Sequence, residues 1–148
     1  MKQIIRTLFL IGLFFVSFNG YAQDCNELIT KVCNTFEDMA RGVNKCTSLQ
    51  QFENLDFDNI TNNSGLDDIP DQCMTTILST ADKRKIKLSI GNFVTAVSNK
   101  TYQLTGGQLD RESINSIFDP MKQKLYKMVD TSDTMLELSK QFENFSGM

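Results

Sequence analysis

The side chains that decide what chemistry this chain can attempt are its four cysteines, Cys25, Cys33, Cys46 and Cys73. No two of them stand in a C-x-x-C pair, the arrangement that activates a thiol for exchange. In an exported chain an even number of cysteines reads as a structural framework, here two disulfides with three possible connectivities. Geometry narrows the choice. On one straight helix, Cys25 and Cys46 would sit about 30 Å apart and Cys33 and Cys46 about 20 Å apart, whereas a disulfide needs Cα atoms within about 7 Å. The first helix must therefore fray at its start, break near Gly42, or leave two thiols unpaired. The preferred pairing is Cys25–Cys33, with the N-terminal strand folded back, and Cys46–Cys73, stapling the end of the first helix to the start of the third.

Histidine is absent. That removes Ser-His-Asp and Cys-His nucleophiles, c-type haem attachment and any zinc site that needs imidazole. Neighbouring carboxylates do occur, at Glu37/Asp38, Asp56/Asp58 and Asp67/Asp68/Asp71. Glycoside hydrolysis would need two of them flanking a cleft, one with a raised pKa, and nothing in the pattern marks such a cleft. An EF-hand loop aligned on Gly65 puts Ile60 at the first ligand position, which breaks that motif. Met121, Met128 and Met135 lie seven residues apart, so successive sulfurs are roughly 10 Å apart on a helix and cannot share one ion. They read as adaptable core filler. No enzyme, cofactor or metal site is expected. The basic runs are Lys83-Arg84-Lys85-Lys87 and Lys122-Lys124-Lys127. Interleaved with apolar helix positions, they suit a solvated helix face, and Lys83, Arg84, Lys85 and Lys87 form the candidate docking patch for an acidic partner.

The elements that must position these residues are helical. Cys25, Ile29, Val32, Phe36, Met39, Val43 and Cys46 recur at steps of four and three, which predicts an amphipathic helix from about Asp24 to Lys45 with its weak point at Gly42. Thr47-Ser48 caps a short helix from Leu49 to about Phe57, with Leu49, Phe52 and Leu55 inward. Residues 58–68, DNITNNSGLDD, favour a loop, and Pro70 fits the first turn of a new helix. From Ser79 a capping box with Asp82 opens a segment whose Ile86, Ile90, Phe93, Val97 and Leu104 keep helical spacing. Ile86, Leu88 and Ile90 also alternate like a strand, but an isolated strand would have nothing to pair with, so helix is expected. Gly106-Gly107 ends it. Asp110 caps a short helix bearing Ile114, Ile117 and Phe118, with Leu109 and Ile114 spaced as a hydrophobic staple. Asp119-Pro120 then opens a last helix through Met121, Leu125, Met128, Ser132, Met135, Ser139 and Phe142, expected to loosen near Ser132.

Compartment is read from the N-terminus. Lys2 and Arg6 precede an apolar run from Leu8 to Phe18, and Gly20 and Ala22 occupy the −3 and −1 positions for cleavage before Gln23. This is the plan of a secretory signal peptide over residues 1–22, too short in its apolar run to span a bilayer. Its removal takes two of 15 basic residues and no acid. That leaves 13 basic against 18 acidic residues, a net charge of −5. So acidic a chain lacks the electrostatic footprint of a nucleic-acid binder.

The expectation is thus an all-α, disulfide-stapled bundle of four to six helices over residues 23–148, exported to a bacterial periplasm or beyond. Its role would be to bind a protein or another envelope component, with no membrane span after cleavage. The alternative is a carrier of a small apolar ligand in an inter-helix cavity.

Overall fold

The apolar stripe read from Ile29 to Val43 becomes the inner face of helix α1 (Leu28–Lys45) in the computed structural model, which describes residues 25–146. The expected signal peptide lies outside the described residues. A 3-10 turn, Cys25–Glu27, leads into α1, where Leu28, Val32, Phe36, Met39 and Val43 are at most 1% exposed. Gly42 does not break this helix. The chain returning from α1 packs against it, and a Cβ there would stand 2.9 Å from Ile60 Cδ1 with Leu55 just beyond. At the far end, Lys100 Nζ donates to the carbonyls of Asn44 and Cys46, at 3.0 and 2.9 Å. A cation thus meets the orphan carbonyls and the negative pole of the helix.

Residues 46–79 form a crossover of short pieces: α2 (Leu49–Glu53), α3 (Phe57–Asn62) and 3-10 turns at Leu66–Asp68 and Asp71–Thr75. The expected single helix to Phe57 is two, because Asp56 starts a new one by accepting from Asn59 N at 2.9 Å. The first half of the expected loop is therefore helical and buries Phe57 and Thr61, while Leu49 is exposed rather than inward.

Helix α4 (Thr80–Leu104) begins at the anticipated capping box, with Ser79 Oγ accepting from Asp82 N and the Asp82 carboxylate accepting from Ser79 N, both at 3.0 Å. The Ile86–Ile90 ambiguity resolves as helix. Ile86 and Ile90 are fully buried and Leu88 is 65% exposed, as a 3.6-residue period requires and a strand would not produce. Phe36 meets Phe93, and Asn44 meets Lys100, so residue numbers rise together along α1 and α4. The two helices are parallel. Helix α5 (Arg111–Thr131) returns antiparallel after the positive-φ pair Gly106-Gly107, tied to α4 by Arg111 to Asn99 at one end and Lys87 to Asp130 at the other.

Pro120 lies inside α5 and opens no helix. The hydrogen bond it cannot donate belongs to the carbonyl of Ser116, and both residues lie on the exposed side of the helix. The real break is at Ser132. Its hydroxyl turns back to the carbonyl of Met128 at 2.7 Å and receives Gln141 Nε2 at 2.8 Å. A second capping box then opens α6 (Met135–Ser146). The Glu137 carboxylate accepts from Asp133 N and Thr134 N, and Thr134 Oγ1 accepts from Glu137 N. A single antiparallel bridge, Ile77 to Thr134, fixes this turn against the chain entering α4.

The core is a run of rings from four helices. Phe57 of α3 meets Phe93 of α4 at 6.0 Å, Phe93 meets Phe36 of α1 at 6.2 Å, and Phe36 meets Phe142 of α6 at 6.5 Å. Ile114, Leu125 and Val129 of α5 close the other side.

The disulfide connectivity differs from expectation. Cys25 is bonded to Cys73, with Cα atoms 5.3 Å apart, and Cys33 and Cys46 are free thiols. The cause is the parallel α1/α4 pair. Parallel helices start at the same end, so the head of α1 meets the turn that feeds α4, and Cys46 is carried to the opposite end. Cys33 stands about 12 Å further along the helix than Cys25 and is out of reach. Closing a loop of 48 residues contributes about 4 kcal/mol in the chain-entropy account.

Candidate functional site

The four basic residues expected to dock a partner fall on the first two turns of α4, and the fold divides them. Lys83 Nζ donates to the carbonyl of Asp130 at 3.2 Å and lies 4.0 Å from the Asp133 carboxylate. Lys87 Nζ donates to Asp130 Oδ1 at 2.7 Å. These two fasten α4 to the end of α5. Arg84 and Lys85 point away and are exposed.

Lys85 stands on the lip of an open cleft of about 280 Å³ between α1 and α4. Ile29, Cys33 and Glu37 line the α1 side, Leu88 and Ser89 the α4 side. Short or polar side chains, Thr30, Asn34 and Ser89 among them, line the cleft where the inner faces of the same helices carry large apolar ones. Among the described residues Leu88 is the second most exposed large apolar side chain, after Ile77. Its position beside Arg84 and Lys85, which form no ion pair among the described residues, gives the surface an apolar centre with a basic edge.

Cys33 is the thiol of this cleft, half-buried in its wall. Burial pushes its pKa up, while a hydrogen bond with Ser89 pulls the other way and Glu37 adds to the rise. A thiol held protonated at neutral pH is a weak nucleophile. Cys46 is buried and donates to the carbonyl of Gly42 at 3.5 Å. Sequence reasoning held two unpaired thiols as one outcome of an unbroken first helix but preferred to pair all four cysteines, and the structure has the unbroken helix and the two thiols.

Several candidate groups turn out to be structural. Asp56 and Asp110 are N-caps. Met128 and Met135 are buried in the core, with Met121 packed against it. Among the described residues no three acidic or thiol side chains converge to hold a metal ion, and no helix is long and apolar enough to cross a membrane. No family model, curated protein or solved structure matches the chain.

Proposed function

We propose that this is an exported protein that acts by binding another protein or envelope component, with the α1/α4 cleft as its contact surface. The observation that carries the reading is Leu88, 65% exposed in the lining of that cleft with Lys85, and one helical turn from the exposed Arg84. A matching partner segment presents an apolar side chain to Leu88 and acidic ones to the two cations, a combination of buried anchor and steering charge. Export to a periplasm or beyond is supported by the signal-peptide pattern of residues 1–22 and by a disulfide, which persists in oxidising compartments. No catalytic step belongs to this reading. The carrier alternative needs an apolar space between helices, and the rings of Phe57, Phe93, Phe36 and Phe142 occupy the centre where it would lie.

The test is photo-crosslinking from position 88 in the secreting cell, identification of the captured protein by mass spectrometry, and binding of that purified partner in solution. Leu88→Glu and the double change Arg84→Glu with Lys85→Glu should each weaken binding by about tenfold or more, as expected for loss of a central anchor or of steering charge. Folded variants that bind the partner undiminished would remove this surface from consideration.

A further inference from the structure

A second cleft, of about 200 Å³, opens between α4 and α5 on the other flank of α4. Its floor is made by the buried Val94, Ser98 and Phe118, and its rim is polar. The dominant group on the rim is Arg111. Its guanidinium lies 4.1 Å over the ring of Tyr102 and its Nη1 donates to Asn99 Oδ1 at 2.7 Å. Both partners fix the orientation of the fork and neither neutralises it, unlike Asp130 with Lys87 or Asp38 with Arg41. One of its five donors is spent on Asn99, so the others remain for a ligand. Because Asn99 Oδ1 is already an acceptor, that carboxamide has its NH₂ to offer. Asn115 stands one turn along α5 from Arg111 on the same face, and Lys122 follows two turns later, loosely paired with Asp119 at 3.8 Å.

The geometry points to a binding site for a small hydroxylated monocarboxylate of the sugar-acid class. Arg111 takes the carboxylate through its planar fork. The carboxamides of Asn99 and Asn115 serve ring hydroxyls, and the small apolar edge that Val94 and Phe118 leave at the floor meets ring C–H groups. Charge selects the class. Arg111 and Lys122 against Asp119 leave one net positive charge in the lining, which suits a monoanion better than a phosphate dianion. Volume agrees, since 200 Å³ has room for about seven waters at about 30 Å³ each, which is also the bulk of a single sugar ring. The cleft is separate from the protein-binding surface proposed above, so the two stand or fall independently.

The test is an NMR titration of the folded, disulfide-bonded protein with sodium D-glucuronate, and in parallel with D-glucose and inorganic phosphate. Expected are saturable shifts of the Asn99 and Asn115 side-chain NH₂ groups and of Arg111 Nε–H with glucuronate, with glucose binding about tenfold or more weakly for want of the charge-assisted pair. Arg111→Gln should abolish saturation and Arg111→Lys should retain only part of it. Asn115→Asp, at an exposed position that leaves the Arg111–Tyr102 contact intact, should abolish it as well. Absence of saturation with glucuronate, equal binding of glucose, tighter binding of phosphate, or undiminished binding by the folded Arg111→Gln or Asn115→Asp protein would each overturn the assignment.

Discussion

Helix α4 is joined to its two main neighbours in opposite ways. The link to α5 is a six-residue turn, residues 105–110, and the pair is antiparallel; the link from α1 is the crossover of residues 46–79, and the pair is parallel. A tight turn closes its own loop at small entropic cost, so beyond the shared core a glycine pair, an N-cap and a few surface contacts suffice to hold α4 against α5. A long crossover leaves two helix ends to be brought together through many free dihedrals. The molecule meets that cost at both ends of the parallel pair, with the Cys25–Cys73 bridge at the head and Lys100 across the tail of α1.

The largest way to break this contrast is to open the bridge. Cys25→Ser, Cys73→Ser and the double variant should lower the unfolding free energy by the same amount, about 4 kcal/mol in urea titrations. Reduction of the wild type should match them and do nothing further to the variants. Alkylation of the native oxidised protein should mark Cys33 slowly and Cys46 only on unfolding. A bridge containing Cys33 or Cys46 in a non-reduced peptide map would mean that the helices are not clasped head to head.

At the other end of the same pair, Lys100→Met should cost about 1–2 kcal/mol, since it removes two charge-assisted bonds to carbonyls that α1 cannot satisfy itself. Amide exchange should quicken in the last turn of α1 and stay unchanged near Cys25. Uniform quickening across α1 would show that Lys100 is no local fastening.

Two glycines sharpen the comparison on a smaller scale. A Cβ on Gly42, beside the crossover, meets only the end of the Ile60 side chain, which can turn aside, and the helix gains propensity. A Cβ on Gly91, in the antiparallel seam, would overlap the Tyr126 hydroxyl and press on the ring carbon that bears it, and a rigid ring must move as a whole. Gly42→Ala should change stability by less than about 0.5 kcal/mol, and Gly91→Ala should lower it by about 1 kcal/mol net of the helix gain. Adding Tyr126→Phe to Gly91→Ala should restore most of the loss. Failure of that rescue would place the strain elsewhere than at the hydroxyl.

The same contrast explains what could be read from the sequence. The all-α class was legible because three-and-four spacing persists through Leu28–Val43 and Ile86–Val97, and capping at Ser48, Ser79 and Asp110 was legible because caps are local. Long-range pairing was not. Assigning Cys46 to Cys73 assumed that the end of the first helix meets the start of the next long one, which holds for a short antiparallel connection and fails for a crossover. The Lys83 and Lys87 pairings depend on Asp130 and Asp133, more than forty residues away, and no linear pattern announces them. The boundary between α5 and α6 did leave a sign. Thr134-Met135-Leu136-Glu137 is a capping-box sequence, but the four-three rhythm runs through it and the exposed Pro120 is the louder signal. The α4/α5 cleft left almost none, because Asn99, Tyr102 and Arg111 converge only once the glycine turn folds α5 back.

The smallest effect separates the two pairs by pH. Asp110 ends the glycine turn and caps α5, its carboxylate accepting from Ser113 N at 2.7 Å. Hydrogen bonds from Ser113, chiefly from its backbone, hold the carboxyl below its ordinary value of 3.8. A depressed carboxyl pKa gives stabilisation that is present above the ordinary value and lost as pH falls through the lower folded one. The start of α5 should therefore loosen in acid while the head of the parallel pair, held covalently, does not. The Ser113 amide resonance should titrate below about pH 4, with the amides near Cys25 and Cys73 unmoved. Asparagine caps a helix without titrating, so Asp110→Asn should keep the Ser113 bond and flatten its pH dependence. A Ser113 amide that titrates equally in Asp110→Asn would assign the acid sensitivity to another group, and the antiparallel pair would then owe less to its turn than the parallel pair owes to its bridge.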